Sequence, residues 1–335
     1  MIEAIRRFLD SDGRDGDFES LALALYRWQV ARSPLYAAMA EGAEPTCAAE
    51  IPAVPVALFK QLAFTTFPLE DAATTFRTSG TTGSARGVVH LRDTALYDLG
   101  CARHAHACIA ALPTSTLSLC PDDPDSSLGH MVRLLGGAVT PLFGPGGVAG
   151  DAWARLGATS APVWVPTTAF ALDALFATDG VASLDPRSVV MVTGGFKGRR
   201  ARLDAPELYA AIGARLGAPR VVGEYGMTEL SSQLWTDPVP AGAVPGAFVA
   251  PPWMRVVAVD PITARPADGE GLLRFVDLAN VHTVLAIETM DLGRVTRRPD
   301  GRDAVELRGR VEGAEARGCS LRAEEFLSAS RRPGV

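Results

Sequence analysis

Short apolar runs alternate with helical patterns through the middle of the chain, and this alternation constrains the fold more than any other feature. The apolar runs are 117–120, 163–165, 188–193 and 221–224, and the helical patterns are 151–156, 168–176 and 206–216. Strands that alternate with helices predict a layered α/β core with largely parallel sheets. In such sheets, ligands bind beyond the carboxyl ends of the strands.

The pattern changes after about residue 251. Apolar runs bounded by Pro, Gly and Asp are typical of strands joined by turns, which predicts a small β-rich subdomain. The predicted strands are 254–259, 271–276, 281–288 and 303–307.

Helical spacing dominates residues 1 to about 45. Phe18, Leu21, Leu25 and Trp28 recur at steps of three and four residues and are predicted to share one face. Pro34 marks the end of that segment or a break within it. A further helix is predicted at 93–108, capped by Asp93 or Thr94.

The bulk composition is that of a soluble globular protein. The 335 residues are 47% hydrophobic and 21% charged, with a formal net charge of −6, so the total charge implies no surface for polyanions. The five cysteines are irregularly spaced and odd in number, which argues against a disulfide framework. No signal peptide and no membrane-spanning run is recognised, so a cytoplasmic, reduced enzyme is expected.

The segment at 75–90, TFRTSGTTGSARGVVH, is rich in hydroxyls and glycines. Backbone N–H groups freed by glycine, together with hydroxyl donors, form the chemistry of a phosphate cradle. The spacing matches neither the P-loop nor the dinucleotide fingerprint. A flexible linker is the alternative, but apolar residues on both sides favour a strand–loop–strand turn. The candidate phosphate ligands are Thr78, Ser79, Gly80, Thr81, Thr82 and Gly83.

This loop resembles the phosphate-binding loop of the adenylate-forming superfamily, which includes acyl-CoA synthetases, luciferases and peptide-synthetase adenylation domains. Three further stretches resemble that superfamily's motifs in the expected order. They are Glu-Tyr-Gly-Met-Thr-Glu at 224–229, Met-Asp-Leu-Gly at 290–293 and Leu-Arg-Gly-Arg at 307–310.

Within the superfamily, the chain is most similar to the acyl-protein synthetases of the bioluminescence fatty-acid reductase system, the LuxE-like branch. The stretches that carry this resemblance are 51–60, 194–198 and 315–321. The resemblance extends from about residue 52 to residue 326. It implies an α/β adenylate-forming core and ATP with Mg²⁺ as cofactors.

The resemblance assigns roles along the nucleotide. The 224–229 motif, including Glu224 and Gly226, would surround the adenine and the metal, with Tyr225 stacking on adenine, Thr228 contacting the α-phosphate and Glu229 holding Mg²⁺. The alternative for this motif is a strand-end turn with a core tyrosine.

On the ribose side, Asp291 would accept both hydroxyls, and Arg310 would contact the ribose or a phosphate. The alternative for Asp291 is a turn aspartate before Gly293. Gly194 and Gly195 would let the backbone pass close to the adenine.

Two basic residues are candidates for steadying the transferring phosphate. Relatives carry a catalytic lysine in a C-terminal lid domain, and this chain is expected to lack that lid because it stops about 25 residues after Arg310. Lys197 or Arg86 is therefore proposed instead, and Arg86 occupies a position where relatives usually carry lysine. The alternative for Lys197 is a surface lysine.

Three further candidates remain open. The Cys319 thiol would accept the acyl group, with Arg317 lowering its pKa, or it is a small buried cysteine. His130 would line the carboxylate pocket, or it is a satisfied core histidine. Cys101, His104 and Cys108 share a helix face and are candidate zinc ligands. No second pair of ligands at zinc-ribbon spacing lies nearby, which argues against a zinc site.

These observations predict an ATP-dependent ligase that converts a carboxylic (fatty) acid to acyl-AMP and transfers the acyl group to a thiol, its own cysteine or a partner's. Expected partners are CoA or a carrier protein and a reductase. The alternatives are an acyl- or aryl-CoA or carrier-protein ligase of a biosynthetic pathway and a catalytically inert nucleotide-binding subunit. The predicted domains are a nucleotide- and acyl-binding core at 1–253, the β-rich subdomain at 254–309 and a hinge remnant with the C-terminal segment at 310–335.

Overall fold

The computed structural model describes residues 1–78, 86–194, 203–217, 219–263 and 265–311. The helices are α1 Ile2–Asp10, α2 Phe18–Val30, α3 Pro34–Met39, α4 Ala95–Ile109, α5 Ser127–Leu135, α6 Ala152–Gly157, α7 Ala169–Phe176 and α8 Ala205–Leu216. Short 3₁₀ turns occupy Ala48–Glu50, Val56–Lys60 and Leu69–Asp71.

The strands before residue 200 are β1 Val54–Pro55, β2 Thr74–Arg77, β3 Val88–Leu91, β4 Ser115–Ser118, β5 Ala138–Pro141, β6 Phe143–Gly144, β7 Gly147–Val148, β8 Trp164–Thr168 and β9 Val189–Thr193. The later strands are β10 Arg220–Tyr225, β11 Leu234–Thr236, β12 Val239–Pro240, β13 Phe248–Val249, β14 Met254–Val259, β15 Glu270–Asp277, β16 Ala286–Arg297 and β17 Asp303–Arg310.

The chain divides into two compact units. The first unit contains Met1–Gly100, Met227–Ser232 and the described chain from Val249 onward. The second unit contains Cys101–Gly226 and Gln233–Phe248. The boundaries predicted from the sequence, at 253 and 309, stay a prediction.

The second unit is built on a mostly parallel sheet. Strands β10, β9, β8, β4 and β5 follow one another in parallel, and β11 and β12 both pair antiparallel with β10. The Asp204 side chain caps α8, because it accepts from Glu207 N while the Glu207 carboxylate accepts from Asp204 N. Val190 of the sheet shares one hydrophobic core with Leu172 of α7 and Ile212 of α8. The predicted α/β class with largely parallel strands is confirmed.

The first unit carries an antiparallel sheet in the order β14, β15, β16, β17, and β1 pairs in parallel with β16. The β-rich character predicted for this part is therefore observed, and β14 has the predicted bounds. The predicted strand at 281–288 is wrong in its position, since β16 begins at Ala286 and runs to Arg297. Val281, Val284 and Leu285 are apolar because they lie in a buried loop, where burial selects the same residues as a strand.

Near the N-terminus, α2 confirms the predicted helix and buries Phe18 and Leu25 of the predicted face, but the buried face is shifted around the helix. Leu21 and Trp28 are only half-buried, whereas Tyr26 and the polar Gln29 are buried. Gln29 is buried because its side chain is hydrogen-bonded to the loop that precedes β16, donating to Asn280 O at 2.6 Å and accepting from Leu285 N at 2.9 Å.

Two boundary predictions near these helices are confirmed. Pro34 begins α3, and Asp93 caps α4 by accepting from Ala95 N at 3.0 Å.

Within the described part of the chain, no helix has the length and apolar character that crossing a membrane requires.

Candidate functional site

The hydroxyl- and glycine-rich loop is closed at its base in the first unit. β2 and β3 form the predicted antiparallel hairpin, with Arg77 opposite Val88. Just beyond this pair, Thr78 N donates to Gly87 O at 2.9 Å, and Gly87 N donates to the Thr78 hydroxyl at 2.8 Å. The two ends of the loop are therefore held together by the hydroxyl of the first residue in the predicted phosphate cradle.

Glu229 lies beside this loop base. A Cβ built on Gly87 would come within 3.0 Å of Thr78 Cγ2 and within 3.4 Å of Glu229 Oε1. Gly87 therefore leaves room for the Glu229 carboxylate next to Thr78. Two of the sequence-predicted site residues, Thr78 and Glu229, are 151 positions apart in the chain and are brought together at this point.

The oxygen atoms at this point fit a magnesium ion. Mg²⁺ prefers carboxylate, hydroxyl, phosphate and water oxygens in octahedral geometry. Among the described residues, no three His, Cys, Asp or Glu side chains group as metal ligands. A magnesium ion at Glu229 would therefore take its remaining ligands from phosphate oxygens and water, which is how this ion usually binds beside a nucleotide.

Asp291 and Arg310 face each other across β16 and β17. They are register partners, with Arg310 Nε 3.5 Å from Asp291 Oδ1, and Asp291 N donates to the Thr289 hydroxyl at 3.1 Å. Asp291 lies inside a strand, so its alternative as a turn residue is wrong. Its half-buried carboxylate, with an arginine beside it, can accept a pair of vicinal hydroxyls.

In the second unit, Glu224 is a buried carboxylate at the carboxyl end of the parallel sheet. It is the register partner of Thr193, whose hydroxyl donates to Glu224 Oε2. A Cβ on Gly226 would lie 2.5 Å from Glu224 Oε1, so any other residue there would displace the Glu224 carboxylate. Burial, together with the nearby Glu224 charge, raises the pKa of the Cys120 thiol well above its ordinary range. Cys120 is therefore unsuited as a nucleophile.

The other predicted residues of the second unit lie at strand and helix ends. Tyr225 ends β10 half-buried, with its ring centroid 6.0 Å from that of Phe248. Gly194 follows β9 with φ +69°, a conformation that favours glycine. His130 lies half-buried on α5, one turn after the capping Ser126.

Several predicted site residues cannot be placed. They are Ser79, Gly80, Thr81, Thr82, Gly83, Gly195, Lys197 and Cys319, which lie outside the described residues.

Arg86 is described and exposed, next to Gly87 at the end of the loop. Thr228 is half-buried beside Glu229. On α4, Cys108 Sγ lies 3.7 Å from His104 Nδ1.

Sequence reasoning missed a set of buried polar residues behind Glu229. Asp277, Asn280 and Ser232 are all at most 1% exposed. Asp277 and Asn280 are polar residues within the apolar region 271–288, which was a usable signal of buried hydrogen bonding. The bonds that join Asp277 to Ser232, and Asn280 to Glu229 and Ser231, connect residues 45 to 51 positions apart, so the sequence alone did not identify them.

No protein-family model matches the sequence, and no curated protein matches it. Solved structures do match. A 2-hydroxyisobutyryl-CoA ligase in the postadenylation state, in complex with R3-HIB-AMP, is 14% identical with a TM-score of 0.63, over 87% of this chain and 66% of that one. An open conformation of the same ligase with 2-HIB-AMP and CoA is 15% identical with a TM-score of 0.63, over 87% and 73%.

An ATP-bound RpMatB–BxBclM chimera is 17% identical with a TM-score of 0.51, over 73% of this chain and 49% of that one. The chain thus spans slightly less than two-thirds of the ligase in its postadenylation state and about half of the chimera. Identities this low establish the fold alone. This chain therefore shares the fold of these ligase structures.

Proposed function

We propose that this protein activates a carboxylic acid with ATP and passes the acyl group to a thiol. The observation that carries the proposal is the position of the Glu229 carboxylate beside Thr78 at the base of the loop. A carboxylate and a hydroxyl/glycine loop at one point can bind a metal and the phosphates that it accompanies. Support also comes from the fold, which this chain shares with structures of a CoA ligase bound to 2-HIB-AMP.

The reaction has two steps. A carboxylate oxygen of the acid attacks the α-phosphorus of ATP, and the bond to pyrophosphate breaks as the acyl–phosphate bond forms. A thiol sulfur then attacks the acyl carbon, the thiol proton is released and AMP departs. Thr78 and its loop would steady the β- and γ-phosphates, and Asp291 with Arg310 would hold the ribose. Magnesium, when bound, would neutralise phosphate charge.

The remaining roles stay predictions. They concern Glu224, Tyr225, Gly226, Thr228 and Gly194 near the adenine and α-phosphate, His130 near the acid, and Arg86 or Lys197 on the transferring phosphate. The acyl-protein synthetase type, with a fatty acid substrate, remains our first proposal for the specificity.

The acyl acceptor distinguishes the first proposal from its alternative. An acyl-protein synthetase would carry the acyl group on its own cysteine, with Cys319 as the candidate, and a reductase as partner. A CoA or carrier-protein ligase would release it on the partner's thiol, and the CoA-bound ligase structure with the same fold makes CoA a specific candidate. Intact-mass analysis after incubation with ATP and acid, with and without CoA, separates the two.

The proposal is tested by carboxylate-dependent exchange of labelled pyrophosphate into ATP across a panel of aliphatic, branched, hydroxylated and aromatic acids. We expect exchange that depends on ATP, on magnesium and on at least one acid. ATP binding without exchange for any acid would instead favour an inert nucleotide-binding subunit. The absence of both ATP binding and pyrophosphate exchange would overturn the proposal.

A further inference from the structure

The six residues Met227–Ser232 form a distinct segment, called the Glu229 segment below. It connects β10 to β11 of the second unit, yet it belongs by its contacts to the first unit. Leu230 N donates to Met227 O at 3.1 Å, which makes a turn. A turn between two strands has few bonds of its own, so its position depends on what holds it from outside.

Asn280 holds the Glu229 segment on both sides of Leu230. Its Oδ1 accepts from Ser231 N at 2.7 Å, and its Nδ2 donates to Glu229 O at 3.0 Å and to Val284 O at 3.2 Å. The Asn280 side chain is 1% exposed. Because a single amide bonds the Glu229 carbonyl and the Ser231 N–H, it fixes the peptide group that follows Glu229 and so limits the direction in which the Glu229 side chain leaves the main chain.

A second attachment lies one residue further along. The Ser232 hydroxyl donates to Asp277 Oδ1 at 2.9 Å and accepts from Trp253 Nε1 at 2.9 Å. All three side chains are buried, so breaking either bond would leave a buried polar group without its partner. This attachment fixes the end of the Glu229 segment, whereas Asn280 contacts Glu229 itself.

Gln29 provides a comparison from the same buried region. Its side chain donates to Asn280 O at 2.6 Å and accepts from Leu285 N at 2.9 Å. It therefore supports the backbone of the loop that carries Asn280. These bonds, and a longer one to Val281 O at 3.5 Å, go to that loop rather than to the Glu229 segment. Truncation of Gln29 removes buried hydrogen bonds of a similar kind.

We propose that Asn280 is a positioning residue that orients the Glu229 carboxylate toward the divalent cation accompanying ATP. This inference rests on the proposed function, because it takes Glu229 as the cation ligand. Residues that orient a metal ligand through its hydrogen bonds commonly change metal affinity about 10- to 100-fold when they are removed. Asn280 contacts neither cation nor nucleotide in this account, and it acts through the main chain of Glu229.

The test measures ATP affinity by calorimetry over a series of MgCl₂ concentrations, for the wild type, Asn280→Ala and Gln29→Ala. We expect Asn280→Ala to raise the Mg²⁺ concentration for half-maximal enhancement of ATP binding by about 10-fold or more, with ATP affinity in EDTA unchanged. Gln29→Ala should lower thermal stability and leave the Mg²⁺ dependence at the wild-type value. If Asn280→Ala weakened the structure in general, it would lower ATP affinity in EDTA as well.

Equal Mg²⁺ dependence in Asn280→Ala and Gln29→Ala would overturn the inference while leaving the proposed function intact. If Asn280→Ala does not fold, Asn280→Asp takes its place, because it keeps the acceptor for Ser231 N and loses the donor to the Glu229 carbonyl. A wild-type Mg²⁺ dependence in Asn280→Asp would then overturn the inference about Asn280. A wild type that binds no ATP at any Mg²⁺ concentration would overturn the proposed function together with the inference.

Discussion

At the scale of single residues, the candidate site depends on the space that two glycines leave open. Gly87 leaves room beside Thr78 for the Glu229 carboxylate, and Gly226 leaves room for that of Glu224. A Cβ on Gly226 would crowd the Glu224 carboxylate at 2.5 Å, whereas a Cβ on Gly87 would crowd the Thr78 methyl at 3.0 Å and contact the Glu229 carboxylate at 3.4 Å. A methyl group is therefore a sensitive probe of both positions.

Gly87→Ala should weaken magnesium-dependent ATP binding by about 10-fold, because the added Cβ lies 3.0 Å from the Thr78 methyl and displaces the residue that closes the loop beside Glu229. Crowding of this kind also costs about 1–3 kcal/mol of stability. Calorimetric ATP titration with and without MgCl₂ checks the first effect, and urea unfolding checks the second. Gly144→Ala is the matched control, since a Cβ there meets nothing within 4 Å. Wild-type binding in Gly87→Ala would contradict the role of Thr78 at the base of the loop.

Asp277 predicts a pH dependence of stability. Burial raises the pKa of its carboxyl to about 6 from 3.8, against hydrogen bonds from Ala279 and Ser232 that lower it. Because the folded value is the higher one, ionisation costs the folded state more, and the free energy of unfolding falls as pH rises from about 4 to about 6. The difference of about two in pKa corresponds to about 3 kcal/mol.

Urea unfolding at pH values from 4 to 8 tests this effect by comparing wild type with Asp277→Asn. The asparagine keeps an acceptor for Ser232 and Ala279 but does not ionise, so the fall attributed to Asp277 should be missing from the variant. The two stabilities should therefore diverge between about pH 4 and pH 6 and stay parallel above it. Parallel curves over the whole range would show that Asp277 does not titrate there.

At the scale of elements, strands that end at the predicted motifs were the most predictable part of the fold. Short apolar runs bounded by Gly or Pro located β8, β9 and β10, because burial on both faces of a parallel sheet demands such runs. The apolar run at 281–288 was wrongly predicted as a strand for the same reason, since a buried loop carries equally apolar residues. Its first half is stabilised by Asn280 and Gln29, and Gln29 lies 251 positions from Asn280.

The candidate site was predictable to the extent that its residues lie in local motifs. Glu229 and Asp291 were identified because each stands in a recognisable stretch of four to six residues. The pairing of Asp291 with Arg310 was not foreseen, because it follows from the register of β16 with β17. Asn280 was missed because its role depends entirely on tertiary hydrogen bonds.

The β16–β17 register predicts ribose recognition. Asp291→Ala should lower ATP affinity about 10-fold, since a hydrogen bond to a charged group contributes about 1.5–3 kcal/mol. The same variant should bind ATP and 2′,3′-dideoxy-ATP equally, whereas the wild type should prefer ATP. Competition titrations measure both. Arg308→Ala on β17, which loses a half-exposed pair with Glu306, is the control and should keep the preference. A preference retained in Asp291→Ala would exclude Asp291 from the ribose.

At the scale of the whole molecule, fold and chemistry rest on different observations. The likeness to CoA ligase structures covers 87% of the chain and fixes the architecture. A shared fold does not by itself establish a function, so the functional proposal depends on Thr78 beside Glu229 and on Asp291 beside Arg310. All four lie in the first unit, which makes that unit the place to look for the nucleotide.

The most direct measurement is a crystal structure of the protein with magnesium and a non-hydrolysable ATP analogue. In that structure we expect the terminal phosphates at the Thr78 hydroxyl, a cation bound to the Glu229 carboxylate and the ribose hydroxyls at Asp291. A nucleotide bound elsewhere, with Glu229 contacting neither cation nor phosphate, would contradict it.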